Sequence, residues 1–225
     1  MSECHTLLIS DIHLGSKVCQ ADKVLWVLRE TKFKDLIING DLFDTNSTEH
    51  FDGKHWEIVM AISEIAEKHS AVLVGGNHGR KLDSLAKKMG LRIYDNHAFG
   101  VGGRRFLCLH GNEFDVFVRY MPNISDFFTW LYYFIQRFGG QKQRVSMFLK
   151  RFSKHILGVS RLQQKRAIEF GTAMNANVVI CSHTHLPHVS RQANGLLFVN
   201  SGSFCAHPCN YVTIDRSGKV ELKEV

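Results

Sequence analysis

The sequence contains little proline, no long apolar run and no segment typical of an export signal. Only 3 of its 225 residues are proline, which argues against disordered linkers. Residues 1–6 do not pair a basic segment with an apolar one, so we expect a cytoplasmic protein. The six scattered cysteines are then expected to be reduced thiols. We predict one globular domain over residues 1–225, because single α/β domains of ~200 to 250 residues are ordinary.

Short apolar segments alternate with helical patterns in the first half of the chain. Strands are predicted at 6–10, 35–39 and 71–74. One helix is predicted at 21–31, and a second helix, with apolar positions Ile58, Ile62 and Ile65, ends at about His69. This alternation predicts a mostly parallel sheet whose reactive residues lie at the carboxyl ends of the strands.

Several short strands are expected in the second half. They are predicted at 92–94, 98–101, 104–109, 178–181, 189–192, 196–200, 211–215 and 220–223, with a short helix at 83–89. The last four strands are taken to build a second sheet. The predicted fold class is α/β, a two-sheet αββα sandwich with a helical lid insertion.

Asp41 and Asp44 lie in a turn that follows the apolar residues 36–38. A carboxylate at the end of a buried strand costs free energy unless a cation meets it, and either a basic side chain or a metal ion could do so. The turn contains no Lys or Arg. A metal ion is therefore favoured if other ligands arrive from elsewhere in the chain.

Suitable metal ligands follow five separate strand-like segments. They are Asp11 and His13, then Asp41, Asn77, His110, and finally His183 and His185. Each pair alone is commonplace, but recurrence after five strands indicates one shared site. Seven ligands suit two ions that share Asp41, and oxygen and imidazole ligands suit Mn first, with Fe or Zn as alternatives. Two ions ~3.5 to 4 Å apart are typical of phosphoester hydrolysis.

The order and spacing of these motifs resemble one known superfamily. Asp11-x-His13, Gly40-Asp41-x-x-Asp44, Gly76-Asn77-His78, His110-Gly111 and His183-x-His185 are similar to the motifs of the calcineurin-like metallophosphoesterases.

The resemblance implies a role for each of these residues. One ion would be held by Asp11, His13 and His185, the other by Asn77, His110 and His183, and both by Asp41. Asp44 would orient the site, and His78 would contact the phosphate and protonate the leaving oxygen.

Two positions depart from the superfamily pattern. An acid often follows the Asn-His pair, but here Gly79 does, which leaves His78 without its expected partner. Ser182 stands where glycine usually precedes the final His-x-His motif.

The excess positive charge lies in the segment 115–171, the predicted insertion. This segment has ten Lys or Arg against three acidic residues, and the rest of the chain is balanced. It also holds twelve of the 24 aromatic residues, and its apolar run is shorter than the ~20 residues needed to span a bilayer. It could bind an anionic membrane surface or cover an acyl chain, or simply pack on the sheet or on a dimer partner.

The insertion and the turn at residues 200–203 resemble one branch of the superfamily, the UDP-2,3-diacylglucosamine diphosphatases. That resemblance implies hydrolysis of a nucleotide-linked glycolipid pyrophosphate at the inner face of the cytoplasmic membrane, so the expected substrate contains phosphate with an acyl or nucleotide moiety. Members of this branch typically carry Arg at the position of His78. In this chain an arginine, Arg80, lies two positions later. Arg80 and Lys81 are candidates for binding a diphosphate, or they are the solvated start of a helix.

Three alternatives remain open. A nuclease or cyclic-nucleotide phosphodiesterase would use the basic insertion as a nucleic-acid surface, although its aromatics precede its cations rather than alternate with them. A non-catalytic scaffold would keep the fold without the chemistry. Cys205-x-His207-x-Cys209 could bind a metal, but free thiols in a loop are favoured. The oligomeric state is not predicted.

Overall fold

The computed structural model describes residues 2–114, 158 and 160–225. Most of the predicted insertion, residues 115–157 and 159, lies outside the described residues, so the lid expected there is not described either.

The described chain contains thirteen strands and four helices. The strands are β1 (Ser2–Glu3), β2 (Thr6–Ile9), β3 (Thr31–Lys32), β4 (Asp35–Asn39), β5 (Ser70–Val74), β6 (Arg92–Tyr94), β7 (Asn96–Val101), β8 (Arg104–Leu109), β9 (Val178–Cys181), β10 (His188–Arg191), β11 (Leu197–Asn200), β12 (Asn210–Ile214) and β13 (Val220–Glu224). The helices are α1 (Ala21–Glu30), α2 (Gly53–Lys68), α3 (Asp83–Lys88) and α4 (160–173). Short 3-10 turns lie at Arg80–Leu82 and Asn112–Phe114.

The strands form two mixed sheets and one small strand pair. The six-stranded sheet has the order β13-β12-β2-β4-β5-β6, and the five-stranded sheet has the order β10-β11-β9-β8-β7. Strands β2, β4, β5 and β6 run parallel in the first sheet, as do β8, β9 and β11 in the second. The parallel strands therefore end together at one edge of each sheet.

Alternate residues of the central strands pack on opposite faces of the sheets. Leu8 of β2 belongs to the core between the two sheets, together with Phe106 and Ile180. Its neighbours Leu7 and Ile9 belong to the core between the first sheet and helices α1 to α3. Strands buried on both faces appear in a sequence as continuous apolar runs, which is why they were detectable.

Helix α4 covers the outer face of the five-stranded sheet. Its Ala167 is fully buried in a core with Leu107, Val179 and Phe198. The layers are thus helix, sheet, sheet, helix, and the predicted αββα sandwich is confirmed. The part of 115–171 that is described, from residue 160 onward, supplies one of these layers.

One prediction about sheet membership was wrong. Strands β12 and β13 were expected in the second sheet, but β12 pairs antiparallel with β2, with Val212 opposite Leu8. Hydrophobic periodicity shows which residues of a strand are buried, but it does not show which strand lies next to it. Among the described helices, none has the length and apolar character needed to cross a membrane.

Candidate metal centre

Backbone hydrogen bonds continue past the ends of the parallel strands and hold the following loops in register. The N–H of His13 donates to the carbonyl of Asp41 at 3.0 Å. In the second sheet, the N–H of Ser182 donates to the carbonyl of His110 at 3.0 Å. The loops that carry the predicted ligands are therefore aligned by the same pairing that builds the sheets.

Most of the predicted ligands have a left-handed backbone. Among the described non-glycine residues, positive φ angles occur at Asp11 (48°), His13 (51°), Asp41 (26°), Asn175 (54°), His183 (49°) and His185 (56°). Such conformations cost on the order of 1–3 kcal/mol each and cluster at functional sites. Five of the six are predicted metal ligands, which indicates that the fold accepts strain in order to place these side chains.

Two glycines allow the loops of the site to approach one another closely. A Cβ atom on Gly40 would lie 1.8 Å from Nδ1 of His110, and one on Gly76 would lie 2.0 Å from Oδ1 of Asp41. Any side chain at either position would displace a predicted ligand.

Three imidazoles present the same nitrogen to the two buried carboxylates. Nε2 of His13 lies 3.6 Å from Oδ2 of Asp41, and Nε2 of His110 lies 3.4 Å from the same oxygen. Nε2 of His185 lies 3.1 Å from Oδ1 of Asp11. The Nε2 atoms therefore converge on Asp11 and Asp41 from three separate loops.

The opposite nitrogen of each of these rings has a different partner. Nδ1 of His13 lies 3.1 Å from Oδ1 of Asp44, and Nδ1 of His185 lies 3.5 Å from the sulfur of Cys205. Nδ1 of His110 lies 2.9 Å from the hydroxyl of Ser182. The Nδ1 atom of each ring therefore has a partner on the side away from Asp11 and Asp41. Such partners fix the orientation and tautomer of imidazole ligands.

The Ser182 contact assigns the proton of His110. The Ser182 hydroxyl lies 2.7 Å from the backbone carbonyl of Asn39, which can only accept, so the hydroxyl donates its hydrogen there. The same oxygen then accepts from Nδ1–H of His110. In the neutral ring this leaves the lone pair on Nε2, the nitrogen that faces Asp41.

The electrostatics of this group match a site built for cations. Burial alone would raise the pKa of Asp41, but the neighbouring His110 and His13 hold it well below its usual value. Burial alone would lower the pKa of His13, but the hydrogen bond to Asp44 and the charge of Asp41 raise it to about 9. Against the effect of burial, Asp41 raises the pKa of His110, and Cys205 and Asp11 raise the pKa of His185. The carboxylates therefore favour positive charge at this site, which a bound metal ion would also supply.

Several potential metal-ligand atoms lie close together at the site, and two of them have no hydrogen-bond partner among the described residues. Oδ2 of Asp11 and Nε2 of His13 are buried and have no hydrogen-bond partner in the described chain. Oδ1 of Asn77 lies 3.2 Å from Nε2 of His110, and Asp11, Asp41 and His110 offer ligand atoms within 4.8 Å of one another. This set of carboxylate, imidazole and amide donors fits a divalent metal ion.

His78 lies beside these groups and is oriented by backbone atoms. Its backbone N–H donates to Oδ1 of Asp41 at 2.9 Å, and its ring Nδ1 lies 3.2 Å from the backbone carbonyl oxygen of Asp44. Because a carbonyl only accepts, Nδ1 carries a hydrogen and Nε2 is the nitrogen left for another partner. The partner that the sequence lacks at position 79 is thus supplied by Asp44.

The structure also explains why position 79 is glycine. Gly79 has a φ of +64°, and a Cβ atom there would lie 2.4 Å from Cβ of Phe43. The acid that is frequent in the superfamily does not fit this backbone.

The remaining predicted residues lie nearby with other partners. The ring centroids of His183 and His110 lie 5.0 Å apart. The guanidinium of Arg80 donates to Asp95 at 3.1 Å and to the carbonyl of Gly76 at 3.3 Å, and the N–H of Lys81 donates to the side chain of Asn46.

The Cys205-x-His207-x-Cys209 motif does not gather its three side chains in the described structure. The Cys209 thiol donates to the carbonyl of Ala206 at 3.2 Å. Cys205 instead lies with His13 and His185.

A cleft of about 890 Å³ opens next to the candidate centre. Asp44 lies on its wall, together with Ser16, Lys17, His50 and Lys54. Asp44 also contacts His13 and His78, so it connects the cleft with the candidate centre.

Sequence reasoning missed two residues that contact the predicted ligands. Ser182 was recognised only as a departure from a glycine pattern, and Cys205 only as part of a weak motif. Cys205 lies twenty residues after His185 in a loop without periodicity, and no signal in the sequence places it against the imidazole.

The sequence pattern of the Calcineurin-like phosphoesterase family matches residues 5–187, and this chain belongs to that family. It is therefore a member of a group of metal-dependent phosphoesterases. The match ends two residues after His185, so it includes all seven predicted ligands.

Proteins of known structure share the fold at low sequence identity. A single mutant of Vps29 from Entamoeba histolytica is 13% identical, with a TM-score of 0.53 and 98% of this chain and 97% of that chain covered. An archaeal phosphodiesterase is 14% identical, with a TM-score of 0.51 and coverage of 98% and 99%. Vps29 from Chaetomium thermophilum is 12% identical, with a TM-score of 0.51 and coverage of 98% and 96%. No curated protein matches the sequence.

Proposed function

We propose that this protein is a hydrolase that cleaves a phosphoester bond with the help of two divalent metal ions. Its proposed metal ligands are Asp11, His13, Asp41, Asn77, His110, His183 and His185. The observation that carries the proposal is the shared orientation of three imidazoles, whose Nε2 atoms lie 3.1–3.6 Å from oxygens of Asp11 and Asp41. Manganese is the proposed metal, with iron or zinc as alternatives.

Asp41 is proposed to lie between the two ions. It is 3% exposed, and its Oδ2 lies near both His13 and His110, which come from different sheets. Its Oδ1 accepts from the N–H of His78, which fixes the carboxylate plane. When bound, divalent ions withdraw charge from a phosphoryl group and make water a better nucleophile.

His78 is proposed to hold the proton that the leaving oxygen needs. The carbonyl of Asp44 holds its Nδ1, so Nε2 of the imidazolium would donate. A positioned imidazole suits this role near neutral pH. Asp44 has two tasks in this scheme, since its carboxylate orients His13 and its carbonyl orients His78.

The proposed substrate is a pyrophosphate or phosphodiester with an acyl or nucleotide moiety, such as UDP-2,3-diacylglucosamine or a relative. This part rests on the composition of residues 115–171 and on the resemblance to the UDP-2,3-diacylglucosamine diphosphatases. The proposed location of the protein is the cytoplasm, at the inner face of the membrane. Arg80 and Lys81 are proposed to bind the diphosphate, for which Arg80 would have to leave Asp95.

A nuclease or cyclic-nucleotide phosphodiesterase is the second candidate. One protein of similar fold is an archaeal phosphodiesterase. A non-catalytic metal-binding scaffold that has kept the fold and lost catalysis is the third, and the presence of all seven proposed ligands argues against it.

The test compares substrates under identical metal conditions. We expect Mn-dependent hydrolysis of a lipid-linked pyrophosphate that increases in the presence of detergent or liposomes. Equal activity with and without lipid, together with cleavage of single-stranded DNA, would favour the nuclease. An Asp41→Ala variant with unchanged hydrolysis would favour the scaffold.

A further inference from the structure

Cys205 lies directly behind the imidazole of His185. Its sulfur is 3.5 Å from Nδ1 of His185 and 3.7 Å from the hydroxyl oxygen of Ser203. Cys205 is 7% exposed. The loop is tied to the candidate centre, since the N–H of Phe204 donates to the carbonyl of Asp11 at 3.2 Å.

These contacts define a chain of hydrogen bonds that ends at the candidate centre. The thiol donates to the oxygen of Ser203, which leaves the sulfur lone pairs to accept Nδ1–H of His185. With its hydrogen on Nδ1, the neutral ring keeps a lone pair on Nε2, which lies 3.1 Å from Oδ1 of Asp11.

His185 depends more on such a partner than the other two rings do. Its side chain is 31% exposed, whereas those of His13 and His110 are 4% and 0% exposed. Packing alone therefore restrains His185 least. A single contact on its far nitrogen has correspondingly more influence on where the ring points.

We propose that Cys205 is a positioning residue, which holds the His185 imidazole with Nε2 directed at the site of one metal ion. The proposal rests on the proposed function, because it assumes that His185 binds metal. The sulfur acts through the imidazole rather than as a ligand, because it contacts the nitrogen opposite the one that faces Asp11.

The experiment measures Mn²⁺ binding to the purified full chain by electron paramagnetic resonance of the free ion. Cys205→Ala removes the acceptor, and Cys205→Ser keeps a donor and an acceptor. Cys209→Ala is the matched control, because it removes a buried thiol that bonds only to the carbonyl of Ala206 among the described residues. Thermal unfolding without metal checks that each variant is folded.

We expect Cys205→Ala to weaken one of two Mn²⁺ sites by about 10 to 100-fold, the usual effect of losing the partner of an imidazole ligand. Cys205→Ser should lie closer to the parent protein, and Cys209→Ala should match it. If Cys205→Ala does not fold, Cys205→Val fills the volume of the thiol without an acceptor and is expected to show the same weakening.

Other outcomes overturn the proposal in distinguishable ways. If Cys205→Ala keeps two Mn²⁺ sites of parental affinity, the role of Cys205 is refuted and the proposed function is not. The same conclusion follows from Cys205→Val where that variant replaces Cys205→Ala. No Mn²⁺ binding by the parent protein would refute the proposed function as well. A sulfur-to-metal charge-transfer band in the Co²⁺-loaded parent protein, lost in Cys205→Ala, would make Cys205 a direct ligand and also refute positioning.

Discussion

The hydroxyl of Ser182 lies 2.9 Å from Nδ1 of His110 and 2.7 Å from the carbonyl of Asn39. Glycine is usual at this position in the superfamily that the sequence resembles. In this chain a side chain fills the position and supplies the acceptor for Nδ1–H of His110. Both residues are fully buried, so no solvent replaces that acceptor if it is removed.

Ser182→Ala is expected to weaken metal binding by about 10 to 100-fold, because His110 loses its orienting partner. It should also lower the free energy of unfolding by about 1–3 kcal/mol, since a buried donor is left without a partner. Calorimetric titration with Mn²⁺ and denaturant unfolding measure the two effects. Ser201→Ala is the control, because that buried hydroxyl bonds to Ser10 and Cys181 rather than to an imidazole. Equal metal affinity in the Ser182 and Ser201 variants would contradict this role of Ser182.

Gly79 is expected to tolerate no side chain. Gly79→Ala should lower the free energy of unfolding by more than Gly103→Ala, which has a similar φ of +72° but open space around its Cβ. Gly103→Ala measures only the cost of placing alanine in a left-handed backbone, roughly 1–2 kcal/mol. The clash with Phe43 should add about 1–3 kcal/mol. Equal melting temperatures for the two variants would show that Phe43 does not restrict position 79.

His78→Ala should slow catalysis without removing the metal ions. A general acid contributes about 10²- to 10⁴-fold, and most where the leaving group is a poor one. We therefore expect a large fall in kcat for an alkyl phosphodiester and a small one for a p-nitrophenyl ester, with unchanged metal content. Equal losses for both leaving groups would show that His78 does not donate the proton.

The stability of the metal-free protein should fall as the pH rises from about 6.5 to about 9. His13 has an ordinary pKa of 6.5 that the fold raises to about 9. The stabilisation that comes from protonated His13 is therefore complete below the lower value and lost above the higher one. Added metal ions displace these protons, so their stabilising effect should grow over the same range.

Melting temperatures with and without Mn²⁺ across this range test the pH prediction. His13→Gln is expected to flatten the dependence in the metal-free protein. A parent protein whose metal-free stability rises steadily with pH would contradict the assignment.

The sequence was sufficient to predict the layers and the loops of the site. Strands β4 and β8 are predicted at Asp35–Asn39 and Arg104–Leu109, which are their observed bounds. Both are apolar runs that end in a polar loop, so local pattern decides them. Asp11 and Asp41 could be expected together because the neighbouring parallel strands β2 and β4 end at one edge, whereas His110 joins them from the other sheet.

Contacts between distant segments could not be predicted in this way. The pairing of β12 with β2 and the contact of Cys205 with His185 depend on which segments lie side by side. The partner of His78 is a backbone carbonyl of Asp44, a group that every residue has, so no residue type could reveal it. Residues 115–157, which bear on the proposed substrate, lie outside the described structure.

The number of metal ions bound with and without Asp41 tests the account most directly. Native mass spectrometry after equilibration with Mn²⁺ should show two ions on the parent chain and at most one on Asp41→Asn. Hydrolysis of a phosphodiester should fall by more than about 100-fold, since even residues that only orient a ligand cost 10 to 100-fold. Asp35→Asn, at the other end of β4, should match the parent protein. A parent chain that binds fewer than two ions at saturation, or an Asp41→Asn variant with two ions and full activity, would contradict the shared role of Asp41.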